Sequence, residues 1–121
     1  MTKKAYKWFL VIVWAGLIFF LSHQPGLESG LSAQWDFLLR KLAHISEYLI
    51  LTVLLMGALG KYEISRKNII VLAAVFSILY AISDEYHQTF ISNRHGAIRD
   101  VFIDSSGVFL AAWLKIKKMI K

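Results

Sequence analysis

The sequence predicts an all-α integral membrane protein, a bundle of four transmembrane helices formed by a single domain over residues 1–121. Composition supplies two of the observations behind this fold class, since 57% of the residues are hydrophobic and only 18% are charged. An average soluble domain has about a quarter of its residues charged, and a chain of this length cannot bury so many apolar side chains in its own core. We therefore expect much of the apolar surface to face lipid.

Four stretches without charge supply the third observation, and each is 10 to 16 residues long. They cover residues 8–21, 48–60, 68–83 and 105–114. Because about 20 helical residues are needed to cross the roughly 30 Å hydrocarbon layer, each helix must also include polar residues at its ends. The predicted spans are then residues 3–22, 40–59, 68–87 and 99–118. The first span is apolar on every side, which is typical of a helix that faces lipid.

The connection between the first two spans is expected to contain a helix of its own. Residues 24–26, Gln-Pro-Gly, should end the first helix, and Ser32 can cap a new one. Apolar residues then recur at helical spacing at Leu31, Trp35, Leu38 and Leu42. This helix is expected along the outer interface, leading into the second span, either as a plain connection or as a gate for a substrate.

The distribution of basic residues predicts the orientation of the bundle. Ten of the fourteen lysines and arginines lie at the two termini or in residues 61–67, and the other four lie at the opposite ends of the spans. By the positive-inside rule both termini are cytoplasmic, and the protein is a multi-pass protein of the cell membrane. Most acidic residues and all four histidines then lie toward the outside.

Three of the predicted spans carry a polar face near this outer end. The residues are Arg40, Lys41, His44, Glu47 and Tyr48 on the second span, Asp84, Glu85 and Gln88 on the third, and Asp100, Asp104 and Gly107 on the fourth. Ionisable groups inside a bilayer are costly, so they normally turn into the bundle, pair and mark a site. We expect the three faces to converge, although the same residues could act only as partners that fix helix packing. The polar residues nearest the helix ends and in loops are expected simply to reach water or head groups: His23, Arg40, Asp84, His87, His95 and Arg99.

The chemistry of this predicted site has two interpretations. His44 with the carboxylates of Glu47, Glu85, Asp100 and Asp104 would suit a divalent cation. In the other interpretation, Lys41, Arg94 and Arg99 hold a phosphate or carboxylate while Glu85 or His44 handles a proton. The sequence determines neither a metal nor a cofactor, and it leaves the oligomeric state open.

Several classes of function are excluded or disfavoured by the residues present. The chain has no cysteine, which excludes a disulfide scaffold, a thiolate zinc site, an iron–sulfur cluster and a cysteine nucleophile. Its formal net charge of +6 does not indicate nucleic-acid binding, because the charges punctuate apolar runs instead of forming a basic face on a soluble fold. The motifs of phosphate loops, dinucleotide folds and serine hydrolases are missing as well.

The order of the polar residues resembles the VanZ-like family of small bacterial membrane proteins. The matching positions are Lys41 and His44 of a K-x-x-H motif, Glu85 and Gln88 of an E-x-x-Q motif, and then Arg94, Asp100 and Gly107. Asp104 stands where the family usually has asparagine, and Ser92 where it often has proline. The resemblance implies a cell-envelope membrane protein, since the founding member is associated with resistance to the glycopeptide teicoplanin. It implies no reaction.

Three functions follow as hypotheses. In the first, an outward-facing pocket binds an anionic lipid head group or a lipid-linked envelope component, with Lys41 and Arg94 on the anion and Gln88 supplying neutral hydrogen bonds. In the second, a membrane enzyme transfers or hydrolyses a group on a lipid-linked substrate, with Glu85 or His44 as general base. In the third, the chain is a packing subunit of a larger membrane complex.

Overall fold

The computed structural model describes residues 2–22, 33–88 and 98–120, and nearly all of them are helical. The four helices are α1 Lys3–Ser22, α2 Ala33–Leu59, α3 Arg66–Gln88 and α4 Ile98–Ile120. No strand occurs within these three described ranges, so the predicted all-α class is confirmed. The predicted bounds of α1, α3 and α4 differ from the observed ones by at most two residues.

The helices run alternately up and down, which brings chain-distant residues together at two opposite ends. The Trp8 Nε1 atom near the start of α1 donates a hydrogen bond of 2.9 Å to the hydroxyl of Tyr62, between α2 and α3. Near the end of α1, the Phe19 ring lies 5.8 Å from the ring of His87 at the end of α3. We call the end holding Ser22, Ala33, Gln88 and Ile98 the site end, and the end holding Lys3, Leu59, Arg66 and Ile120 the lysine end.

Small residues allow α2, α3 and α4 to pack closely. A Cβ atom built on Gly107 of α4 would lie 2.2 Å from the carbonyl oxygen of Ile45 in α2, so the two backbones are in direct contact there. Ala73 and Ala81 of α3 and Ala111 of α4 are almost completely buried. Helices within a membrane associate in this way, because lipid offers no hydrophobic driving force and close packing must supply the attraction.

α1 lies at the edge of the bundle, and it packs mainly against α2. Only 11% of its candidate span, Lys3–Leu21, is buried inside the protein, against 39% for the candidate spans of α2 and α3. Large apolar side chains such as Phe9, Ile12 and Phe20 are exposed. This surface is suited to lipid.

By length and composition, the described part of the chain contains three helices able to cross a membrane: Lys3–Leu21, Leu38–Leu59 and Arg66–His87. α4 is long enough, but it carries six charged residues, namely Arg99, Asp100, Asp104, Lys115, Lys117 and Lys118. Three apolar spans of this kind identify a membrane protein. A fourth span and the cytoplasmic placement of the termini stay predictions at this point.

The predicted helix after Ser32 begins where expected, at Ala33, but it is not separate from the second span. Ala33 already belongs to α2, which continues without interruption to Leu59. The physical reason is visible in the sequence, because no proline or glycine occurs between Ala33 and Met56 to break the helix. Trp35, Leu38 and Leu42 therefore lie on the first turns of α2, and the predicted cap, Ser32, lies outside the described residues.

Candidate functional site

Polar side chains collect between α2, α3 and α4 toward the site end. We call this group the polar cluster; its members are His44, Glu47, Tyr48, Asp84, Glu85 and Asp104. Tyr48, Asp84, Glu85 and Asp104 are buried, with relative exposures of 0 to 5%. Carboxyl groups are rarely so buried without partners, because the free energy lost when a charge leaves water is larger than the free energy gained from packing.

His44 links α2 to α4. Its Nδ1 atom lies 3.3 Å from Oδ1 of Asp104 and 3.8 Å from Oε2 of Glu47, one turn further along α2. The backbone contact at Gly107 explains the first distance, since Asp104 lies one turn before Gly107 and Ile45 follows His44 directly. Two carboxylates thus approach the same ring nitrogen.

The cluster is closed toward α3 and α4 and partly open at its α2 residues His44 and Glu47. The side chain of Asp104 is 1% exposed, whereas those of His44 and Glu47 are 16% and 15% exposed. A small polar group arriving from outside the bundle would therefore meet the imidazole and Glu47 first. The Glu47 backbone is also fixed, because the Trp14 indole donates a hydrogen bond of 2.9 Å to its carbonyl oxygen.

Tyr48 links α2 to α3. Its hydroxyl lies 3.5 Å from Oδ2 of Asp84, a long contact for an O–H donor, and its ring meets the Tyr80 ring edge to face at 6.3 Å. The expectation that Asp84 simply reaches water is wrong, because this residue is 1% exposed. Asp84 shares a helix face with Ala73, Ser77 and Ala81, and that face packs into the bundle.

A pair of hydroxyl groups below the polar cluster was not identified from the sequence. The Thr52 hydroxyl hydrogen-bonds the Tyr48 carbonyl oxygen at 2.7 Å and the Ser77 hydroxyl at 2.9 Å, and both residues are fully buried. The signal was present as a spacing of four residues: Thr52 follows Tyr48, and Ser77 lies between Ala73 and Ala81. The pair extends the polar contact between α2 and α3 toward the middle of the bundle.

The structure describes the side chains of only some of the other residues that the sequence predicts for the site. Lys41 is half-buried one turn before His44, and Glu85 is buried beside Asp84. Gln88, Arg99 and Asp100 lie within helices, but their side chains are outside the described part of the structure, as is the whole of Arg94. Arg40 and His87 are exposed, as expected, and His23 and His95 are again outside the described residues.

The described side chains do not form a metal centre. Among them, no group of three or more His, Cys, Asp or Glu residues is arranged to hold a metal ion. The polar cluster combines four acidic side chains with one imidazole, and Lys41 is the cation adjacent in sequence. Its carboxylates can accept hydrogen bonds from hydroxyl or amino groups, and His44 can accept or donate a proton.

Comparison with known proteins assigns the chain to a family. No curated protein and no solved structure matches it. The family model described as VanZ/LLP1 matches residues 7–118, which include all four helices apart from their outermost residues and the whole polar cluster. This confirms the family suggested by the K-x-x-H and E-x-x-Q motifs, and the chain belongs to the VanZ/LLP1 family.

Proposed function

We propose that all four helices span the cell membrane, with both termini in the cytoplasm and the polar cluster toward the outside. α4 packs against both α2 and α3, and its Asp104 faces His44 instead of lipid. Lys115, Lys117 and Lys118 lie in its last turns, where lysine side chains can extend to the membrane surface. The charges that lower the hydropathy of α4 are therefore compatible with a span.

At the polar cluster, the protein binds a lipid head group or lipid-linked envelope component that carries a phosphate. The observation that supports this function most is the 3.3 Å approach of His44 to Asp104 within a buried, partly open cluster at one end of the bundle. Ionisable groups inside a membrane bundle are costly to bury, which makes a functional site the default interpretation of such a cluster. Family membership is consistent with an effect on glycopeptide susceptibility.

The acidic character of the cluster constrains the ligand. Four carboxyl groups would repel a phosphate placed among them, so the phosphate belongs beside cations, for which Lys41, Arg94 and Arg99 are available. The carboxylates of Glu47 and Asp104 then accept hydrogen bonds from hydroxyl or amino groups of the same ligand, and Gln88 and Asp100 complete the binding set. A sugar or amino group linked through phosphate to a lipid has both features.

Native mass spectrometry of the detergent-purified protein tests this function. The probes are a polyprenyl-phosphate-linked sugar and phosphatidylglycerol, each added in equal amount. We expect the wild type to retain the sugar-bearing lipid, and Lys41→Gln and Asp104→Asn to lose it while remaining helical. Lys61→Gln removes the same charge at the lysine end and should retain the lipid. A wild type that does not retain the sugar-bearing lipid would overturn the proposal, and so would retention of that lipid by Lys41→Gln and Asp104→Asn equal to that of the wild type.

A second function, that of an enzyme on a lipid-linked substrate, is favoured by the arrangement of His44 and Asp104. A carboxylate beside one imidazole nitrogen fixes the ring and supports proton transfer at the other nitrogen, as a general base requires. Glu85 is the other candidate base. Release of product from the polyprenyl-phosphate sugar by the wild type, with retained binding but lost turnover in His44→Gln or Glu85→Gln, would establish catalysis. If Glu85→Gln and Asp100→Asn both replace the wild-type protein fully in cells, the hypothesis of a packing subunit is favoured instead.

A further inference from the structure

A groove of about 400 Å³ lies at the lysine end, on the opposite side of the molecule from the polar cluster. Residues of α1, α2 and α4 line it. Its floor is apolar and includes Val53, Met56 and Leu114, and three lysines stand at its edge: Lys7, Lys115 and Lys118. None of its lining residues is acidic.

The groove exists because α1 and α4 pack on α2 without packing on each other over the described residues. Gly57 keeps the space between them open, since it has no side chain. A Cβ atom built on Gly57 would lie 3.8 Å from both Cδ and Nζ of Lys7, so the lysine side chain runs along this gap from the α1 side. Lys115 and Lys118 are separated by one turn of α4 and approach from the other side.

We propose that this groove binds one anionic phospholipid, with an acyl chain on the apolar floor and the phosphate among the three ammonium groups. Charge complementarity argues for an anion, because three cations meet here and the lining offers no carboxylate. The depth argues for a lipid, because Gly57 and Lys118 each lie two residues before their helix ends, where an apolar groove meets a head-group layer. This site is independent of the polar cluster, both in its position and in its chemistry.

The alternative is that the lysines orient the protein and bind no particular lipid. It predicts that any lysine at this end contributes equally, whereas the groove predicts that position matters. Lys3, Lys61 and Lys67 provide a matched comparison, since they lie at the same end, are exposed and do not line the groove.

The test is native mass spectrometry of the purified full chain incubated with equal amounts of phosphatidylglycerol and phosphatidylcholine. We expect the wild type to retain one phosphatidylglycerol in preference to phosphatidylcholine. The triple variant Lys7→Gln/Lys115→Gln/Lys118→Gln should lose that preference, and the control Lys3→Gln/Lys61→Gln/Lys67→Gln should keep it.

A second variant tests the shape of the groove independently of the charge of its lysines. Gly57→Leu fills the space without changing any charge, and we expect it to lose the retained lipid while circular dichroism shows an unchanged helix content. Equal loss in the two triple variants, or full retention in a folded Gly57→Leu protein, would overturn the proposal. So would a wild type that holds both lipids equally.

Discussion

The two ends of the bundle differ in the burial of their charged side chains. At the site end, Asp84, Glu85 and Asp104 are buried between helices, and Asp104 contacts His44 across the α2–α4 interface. At the lysine end, Lys3, Lys61 and Lys67 are exposed, and no buried charged residue occurs among the described ones there. Burial of a charge requires partners, whereas an exposed lysine only needs water or head groups. The acids at one end are therefore held between helices, whereas the lysines at the other end stay accessible, and this is the distribution of charge that the proposed site and the proposed orientation require.

The largest expected effect comes from separating α2 and α4, on which the site end depends. Gly107→Leu places a side chain against the Ile45 carbonyl, where even a Cβ atom would approach to 2.2 Å. Overpacking of this kind should lower the free energy of unfolding by about 3 kcal/mol or more, measured by thermal unfolding in detergent.

Gly16→Leu is the matched control for that substitution. Nothing lies within 4 Å of a Cβ atom built on Gly16, which is exposed on α1. We expect this variant to be unchanged, or stabilised by up to about 1 kcal/mol, because glycine is unfavourable within a helix. Equal destabilisation of the two variants would contradict the close contact between α2 and α4.

The next effect tests whether the buried acid is paired. Asp104→Asn should lower the free energy of unfolding by roughly 1–3 kcal/mol, since it removes a charged partner of His44. In a double-mutant cycle with His44→Gln, the coupling energy should be about 0.5 kcal/mol or more. Glu63→Gln, an exposed acid at the lysine end, should change stability by less than about 0.5 kcal/mol. Additive effects of the two cluster substitutions would show that His44 and Asp104 are not coupled.

A smaller effect is expected midway between the ends. Thr52→Val keeps the shape of the side chain but removes the hydroxyl that contacts the Tyr48 carbonyl and Ser77. The free energy of unfolding should fall by about 1–2 kcal/mol, because the buried hydroxyl of Ser77 loses its hydrogen bond with Thr52. Adding Ser77→Ala should then cost less than it does in the wild type. If the two losses simply add, the hydroxyl pair is not an interaction of the folded protein.

The smallest effect belongs to the lysine end. The ammonium group of Lys4 lies 4.3 Å from the ring centre of Tyr62, an exposed cation–π contact. Lys4→Gln should therefore reduce stability by about 0.5–1 kcal/mol. A loss as large as that of Asp104→Asn would remove the contrast between the two ends.

Most of the fold could be predicted from the sequence, because four apolar runs and their polar ends nearly determine four helices. The continuity of α2 could not be predicted, since Ser32 and the apolar residues after it suit a separate helix as well as one that continues into the second span. The residues that make up the site could be predicted, but the contacts between residues of different helices could not. Helical spacing showed that His44, Glu47 and Tyr48 share a face, but the partnership of His44 with Asp104 depends on how α4 packs against α2.

Asp84 shows where the sequence-based reasoning failed. Its place near a helix end suggested contact with water, yet the small residues that precede it on the same face, Ser77 and Ala81, carry that face into the bundle. Residue spacing does not show whether Glu85 acts as a general base or only contacts the bound molecule, because that depends on which molecule binds. The contributions of Arg94 and Asp100 stay predictions.

Cysteine labelling in intact cells shows whether the acidic site end faces outward and the lysine end faces the cytoplasm. The chain has no cysteine, so single cysteines at Ser29 and at Glu63 report one end each. We predict that Ser29→Cys reacts with a membrane-impermeant maleimide and that Glu63→Cys reacts only after the cells are opened. Labelling of Glu63→Cys alone in intact cells would show that the bundle has the opposite orientation.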